Sequence, residues 1–153
     1  MIFEHAKSPV LLVVDDEPII RELLDAIFRI EGFTVLTARD GDDAIEKGQI
    51  HRGEIALSLL DFSLTLRDSR LIGYLGDRCT MGILLMSGYS KDTILQRLGS
   101  GNPNYEFLQK PFTRDMVVER VRDVLSRQSP ARPAASALHS TTAGKRRDSA
   151  RAQ

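Results

Sequence analysis

An open α/β fold on a parallel sheet is what this sequence predicts, and three observations predict it. Strand-like apolar runs alternate with helix-like amphipathic stretches along the body of the chain, the signature of successive βα units. The first run, VLLVV at Val10 to Val14, is continuously apolar, as suits a strand covered on both faces. Four such runs also end beside residues suited to phosphoryl chemistry: Asp15 and Asp16 after VLLVV, Asp61 after IALSLL, Ser87 after ILLM, and Lys110 after YEFLQ. In an open α/β sheet, ligands bind where loops leave the carboxyl ends of the strands, so these residues can converge although far apart in sequence.

The elements follow in order. After the Val10 to Val14 strand, Pro18 falls near the first helical turn, where its missing N–H costs little. Ile19, Ile20, Leu23, Leu24, Ile27 and Phe28 repeat on one helical stripe, and Gly32 closes that helix. A second strand at Thr34 to Ala38 leads into a weakly patterned helix after Asp40 and Gly41. Ile55 to Leu60, Ile83 to Met86 and Tyr105 to Leu108 are the third, fourth and fifth strands. Thr113 caps the last helix, whose inner stripe is Val117, Val121, Val124 and Leu125.

At 153 residues the chain fits one compact domain, read as residues 1–126, with a tail from 127 to 153. The tail is rich in Ala, Ser, Pro and Arg and poor in large apolar residues, so it is expected to be disordered. The formal net charge of zero hides an asymmetry: the tail holds six basic residues and one acidic, the body 15 basic and 20 acidic. An acidic body is a poor general nucleic-acid binder, which leaves only the tail for that role. The single cysteine, Cys79, cannot form an internal bridge, and no Cys/His spacing offers a zinc site. His5, His51 and His139 are read as surface residues. Neither a bilayer-spanning run nor a signal peptide is evident, so the expected compartment is the cytoplasm.

The residue chemistry points the same way. Magnesium takes hard oxygen ligands, and one or two carboxylates with a phosphoryl oxygen make an ordinary site. Asp15, Asp16 and Asp61 supply three carboxylates, whose mutual repulsion a divalent cation relieves. One is then free to attack phosphorus, and Asp61 is the better nucleophile because the adjacent pair can share the metal. Lys110 acts as a point cation on the transferred group, and Ser87 donates a hydroxyl hydrogen bond to it. Taken singly, each of these residues is better explained by a solvated loop or strand end; the order and spacing of the set favour function.

The motifs VVDDE, LLD, MSGYS and FLQKPF resemble the receiver domain of two-component response regulators over about residues 9 to 126. That resemblance implies a flavodoxin-like (βα)5 three-layer sandwich with a parallel five-stranded sheet of order 2-1-3-4-5. It implies that Asp61 is the phosphoacceptor, that Asp15, Asp16 and Asp61 hold Mg2+ or Mn2+ with the backbone carbonyl of Ser63, and that Lys110 and Ser87 contact the phosphoryl group. It further implies a cis bond between Lys110 and Pro111. The donor is a sensor histidine kinase or a histidine phosphotransfer protein, with small acyl phosphates able to substitute. Such a domain is not an enzyme beyond magnesium-dependent self-phosphorylation and slow self-dephosphorylation. The switch aromatic is Phe107, and Tyr89 and Ser63 tune the lifetime of the phosphoryl group.

This sequence departs from the family pattern after Asp61, where FSLTLRDSRLIG has Thr65 where Pro is common and Ser69 where Gly is common. Asp61 and Ser87 stand 26 positions apart, a short interval that predicts a clipped or irregular third helix. No DNA-binding or catalytic output domain is read after Leu125, so output is expected from the receiver's own surface, including a dimer through the face of the fourth helix, fifth strand and last helix. Two other readings stand beside this one. The altered loop suits a receiver-like interaction module that no longer uses phosphate. A haloacid-dehalogenase-type phosphatase shares the ingredients, but has Asp-x-Asp where this chain has Asp15, Asp16 and Glu17.

Overall fold

The structure is a computed structural model, and it describes residues 7–76, 82–99 and 105–128. Five strands, β1 (Val10–Val14), β2 (Thr34–Ala38), β3 (Ile55–Asp61), β4 (Ile83–Ser87) and β5 (Tyr105–Gln109), form one sheet in the order β2-β1-β3-β4-β5. Every pairing is parallel. β3, β4 and β5 each run one residue further than their apolar stretches predict, because Asp61, Ser87 and Gln109 stay in register with neighbouring strands.

The helices are α1 (Pro18–Ile30), α2 (Gly41–Ile50), α3 (Phe62–Arg67), α4 (Arg70–Tyr74), α5 (Lys91–Leu98) and α6 (Arg114–Gln128). α1 and α6 cover one face of the sheet and the others cover the opposite face, which completes a three-layer sandwich. Side-chain alternation decides the two cores. Leu11 and Val13 of β1 join Leu24, Ile27 and Phe28 of α1 and Val117, Val118, Val121 and Val124 of α6. Leu12 and Val14, from the same strand, join Ala44, Phe62, Leu71 and Ile94 on the other side.

Local chemistry sets the helix ends. Pro18 occupies the first turn of α1, and the chain turns out of that helix at Gly32 with φ +92, the left-handed region that glycine enters without penalty. Asp40 caps α2 by accepting the Asp43 N–H, and Thr113 Oγ1 accepts the Met116 N–H at the start of α6. The α1 stripe is narrower than the sequence suggested: Ile19 and Leu23 are 76 % and 50 % exposed. The six apolar residues span about half the helix circumference, and a helix on a flat sheet buries a stripe nearer 100° wide.

The segment after Asp61 is irregular, as the short interval to Ser87 predicted. α3 begins directly at Phe62, breaks at Asp68 (φ −133, ψ 96), and resumes as the five-residue α4. Thr65 makes this possible. It is the fourth residue of α3, the first position at which helical geometry needs the N–H to bond the carbonyl of residue i−4, and a proline there would remove the donor and clash. Ser69 takes right-handed backbone (φ −67, ψ −16), so glycine's freedom is not used at that position.

α6 continues through Gln128, two residues past the expected domain end. The expectations for Cys79, His5, His139 and the tail from Ser129 onward fall outside the described residues. Among the described residues, no helix is long and apolar enough to cross a membrane.

Candidate functional site

Strand order brings the predicted residues to one edge of the sheet. β1 and β3 are neighbours, and Val14 pairs with Leu60, so Asp15 and Asp61 follow at the same level. β4 lies beside β3 and β5 beyond it, with Ser87 paired to Gln109 and Lys110 one residue further on. The Lys110 N–H donates to the Ser87 carbonyl at 2.7 Å, which anchors the lysine backbone to β4 before the cis Lys110–Pro111 bond turns the chain away.

Lys110 spans the site. Its Nζ lies 3.3 Å from Asp15 Oδ2 and 3.3 Å from Asp61 Oδ1. Asp15 is fully buried and Asp61 nearly so. Burial pushes the Asp15 carboxyl above its ordinary value, against the Glu17 N–H bond at 2.9 Å and the Lys110 charge, while the Asp61 charge adds to the rise. Burial alone would lower Lys110, but the Asp61 and Asp15 carboxylates more than offset it and hold the ammonium above its ordinary range. The Asp15 backbone is itself fixed: its N–H donates to Ala38 O at 3.1 Å and its carbonyl accepts Arg21 Nη1 at 2.7 Å.

Asp16 sits at the open side of the group. One oxygen from each of Asp15, Asp16 and Asp61 lies within 4.8 Å of the other two, a set of hard oxygen donors that fits a divalent cation. Asp16 is not free, however. Arg67 Nη2 lies 2.7 Å from its Oδ2, and that hydrogen bond holds the Asp16 carboxyl below its usual value. Sequence reasoning missed Arg67, since nothing local to FSLTLRDS marks a partner 51 residues away.

Ser63 also reaches the site. It lies in the first turn of α3. Its hydroxyl donates to Asp61 Oδ2. Ser87 is buried, and its Oγ accepts the Tyr89 N–H at 3.0 Å, which leaves its own hydrogen available to donate.

Two aromatic residues flank the group. Tyr89 packs edge-on against Phe62, centroids 6.4 Å apart, with the Arg97 guanidinium 4.9 Å above its ring. Phe107 is half-buried on β5 under the Lys91 ammonium, 5.4 Å from its centroid, and its carbonyl accepts Arg120 Nε at 3.1 Å. Arg120 and Arg127 both pair with Glu106, so β5 and α6 are joined by charge next to that ring.

Residues 11–122 match the family described as the response regulator receiver domain. The transcriptional regulatory protein AruR of Pseudomonas aeruginosa is 35% identical over 141 residues, covering 87% of this chain and 57% of AruR. The response regulator GtcR of Aneurinibacillus migulanus is 29% identical, covering 90% of this chain and 57% of GtcR. This chain thus spans little more than half the length of these curated relatives. Among solved structures, the receiver domain of the hybrid histidine kinase CckA is 27% identical with a TM-score of 0.56, covering 76% of this chain and 98% of that one. A response regulator receiver protein from Sinorhizobium medicae shares the fold at a TM-score of 0.63 and 22% identity, covering 80% of this chain and 98% of that one.

Proposed function

The chain belongs to the response regulator receiver domain family, and from that premise we propose that Asp61 accepts a phosphoryl group from a phosphohistidine on a sensor kinase or phosphotransfer protein. The observation that carries this reading is the Lys110 ammonium, set 3.3 Å from both Asp15 and Asp61 with Asp16 alongside. That arrangement suits in-line transfer, in which positioning and charge neutralisation do most of the catalytic work. An Asp61 oxygen forms the new P–O bond while the P–N bond of the donor breaks. The electron pair returns to the imidazole, which takes up a proton. Asp15, Asp16 and Asp61 would hold a divalent cation, which would supply neutralising charge to the phosphoryl group. Lys110 supplies a second, fixed positive charge, and the Ser87 hydroxyl donates to the acyl phosphate once formed. Oδ1 of Asp61 faces Lys110 and Oδ2 accepts from Ser63, and each oxygen keeps a further lone pair from which attack can come.

The output of this reading is phosphorylation-dependent protein binding. Pulling Ser87 toward the new dianion shifts the segment that carries Tyr89 and α5, and the face formed by α5, β5 and α6 holds Phe107, Lys91 and Arg120. A downstream protein or a second copy of the chain binds that face. Tyr89, seated against the residue that follows Asp61, screens the acyl phosphate from water.

The test is incubation with acetyl phosphate and Mg2+ followed by intact mass. We expect a gain of about 80 Da, one phosphoryl group, that is absent from Asp61→Asn. A chain that gains no mass from acetyl phosphate or from phosphohistidine donors overturns the reading and favours a phosphate-independent interaction module.

A further inference from the structure

Arg67 is the last residue of α3, and helical backbone stops immediately after it. The junction is held in place on the far side too: Asp68 packs against Gly41, where a Cβ would come within 2.8 Å of Asp68 Oδ2, and Asp68 also pairs with Arg70. With α3 fixed at Asp61 by β3 and at Asp68 by the start of α2, the guanidinium is delivered to Asp16 by the fold.

The charges of the site make this placement consequential. Asp15, Asp16 and Asp61 present three carboxylates, and Lys110 reaches only Asp15 and Asp61. Asp16 is left to Arg67, and the pair is solvent-accessible, with side chains 62 % and 40 % exposed for Arg67 and Asp16. An exposed ion pair of this kind is weak and exchangeable. A divalent cation needs the same carboxylate, and its charge repels the guanidinium.

We propose that Arg67 is a tethered cation that occupies Asp16 in the metal-free chain and competes with the divalent ion for it. Loading then requires Arg67 to swing away, so the irregular α3 sets the metal concentration at which the site fills. This rests on the reading of Asp15, Asp16 and Asp61 as the metal site, and deepens it by assigning a residue that regulates occupancy.

The test is a Mn2+ titration of the full chain in which free Mn2+ is followed by electron paramagnetic resonance, a readout independent of phosphorylation. Arg67→Gln is expected to bind Mn2+ about threefold to tenfold more tightly than the parent, the range set by an exposed ion pair plus repulsion between neighbouring cations. Arg67→Lys, which keeps the charge, is expected to stay near the parent. Arg67→Gln binding at the parent's affinity or more weakly overturns the proposal. An Asp16→Asn chain separates this from failure of the site itself. If that substitution leaves Mn2+ affinity unchanged, the metal reading falls and the proposal with it. If it weakens binding while Arg67→Gln has no effect, the role of Arg67 alone is refuted. Both Arg67 variants should melt with the parent, because the side chain lies outside the core.

Discussion

Replacing Asp15 with Asn should make the metal-free protein more stable at neutral pH. The carboxylate is fully buried and attracted to Lys110 at 3.3 Å, worth about 5 kcal/mol at an effective dielectric of about 20. Against this stands repulsion from Asp61, whose nearest ligand oxygen lies no farther than 4.8 Å, worth about 3.5 kcal/mol or more on the same scale. The difference favours the charge by only about 1.5 kcal/mol, less than the several kcal/mol that desolvating a buried ion costs. Asn removes all three contributions and keeps an oxygen to accept the Glu17 N–H. The expected gain is about 1 to 2 kcal/mol, or about 3 to 8 °C in Tm for a domain of this size. Because the Asp15 carboxyl lies above its ordinary value of 3.8 when folded, the folded chain holds that proton more tightly than the unfolded one. The stability this contributes is complete below pH 3.8 and is lost as pH rises through the folded value. The advantage of Asn should therefore be full at pH 7 and shrink as the parent takes up its proton toward pH 4. Denaturant melts in EDTA across that range measure it, and added Mg2+ should stabilise the parent more than the variant. A variant no more stable than the parent at pH 7, or a gain that stays constant down to pH 4, refutes the reasoning.

Two further outcomes follow from the site. Lys110→Met should slow phosphorylation by acetyl phosphate about a hundredfold, the scale on which removing one charge-stabilising donor acts, while Mg2+ titration still shows binding at the three carboxylates. Tyr89→Ala should shorten the lifetime of the acyl phosphate severalfold, measured by loss of the added mass after the donor is removed; a lifetime equal to the parent's dismisses the screening role of the ring on Phe62.

Much of this was legible in the sequence because the parallel sheet writes its own pattern. VLLVV, IALSLL and ILLM are apolar at every position or nearly so, since alternate residues enter the two cores, and each run then breaks at a chemically distinctive residue. The carboxyl-end rule converts those breaks into a site without further information. α3 was legible only as a clipped or irregular third helix, without bounds, because six residues are too few to display a 3.6-residue period. Phe62, Leu64 and Leu66 alternate as a strand would, yet the backbone is helical and Phe62, Leu64 and Thr65 all lie buried. The hints were the absence of proline at Thr65 and the short interval from Asp61 to Ser87. Arg67 left no hint, because its partner is chosen by where that helix ends.

The two cations of the site differ in a way that assigns them different work. Lys110 touches two buried carboxylates and is itself 23 % exposed, so withdrawing it leaves both charges unpaired in a desolvated place, a costly step. Arg67 touches one partly exposed carboxylate from a side chain 62 % exposed, so water compensates both groups when they part. An incoming divalent cation must relieve the same three negative charges, and the cheaper displacement is Arg67. On the proposed reading, the lysine stays through the cycle as a fixed contact for phosphoryl oxygens, whereas the arginine exchanges. A third helix of ordinary length would not end at Arg67, so the departure from family pattern after Asp61 and the exchangeable cation on Asp16 have a single structural cause.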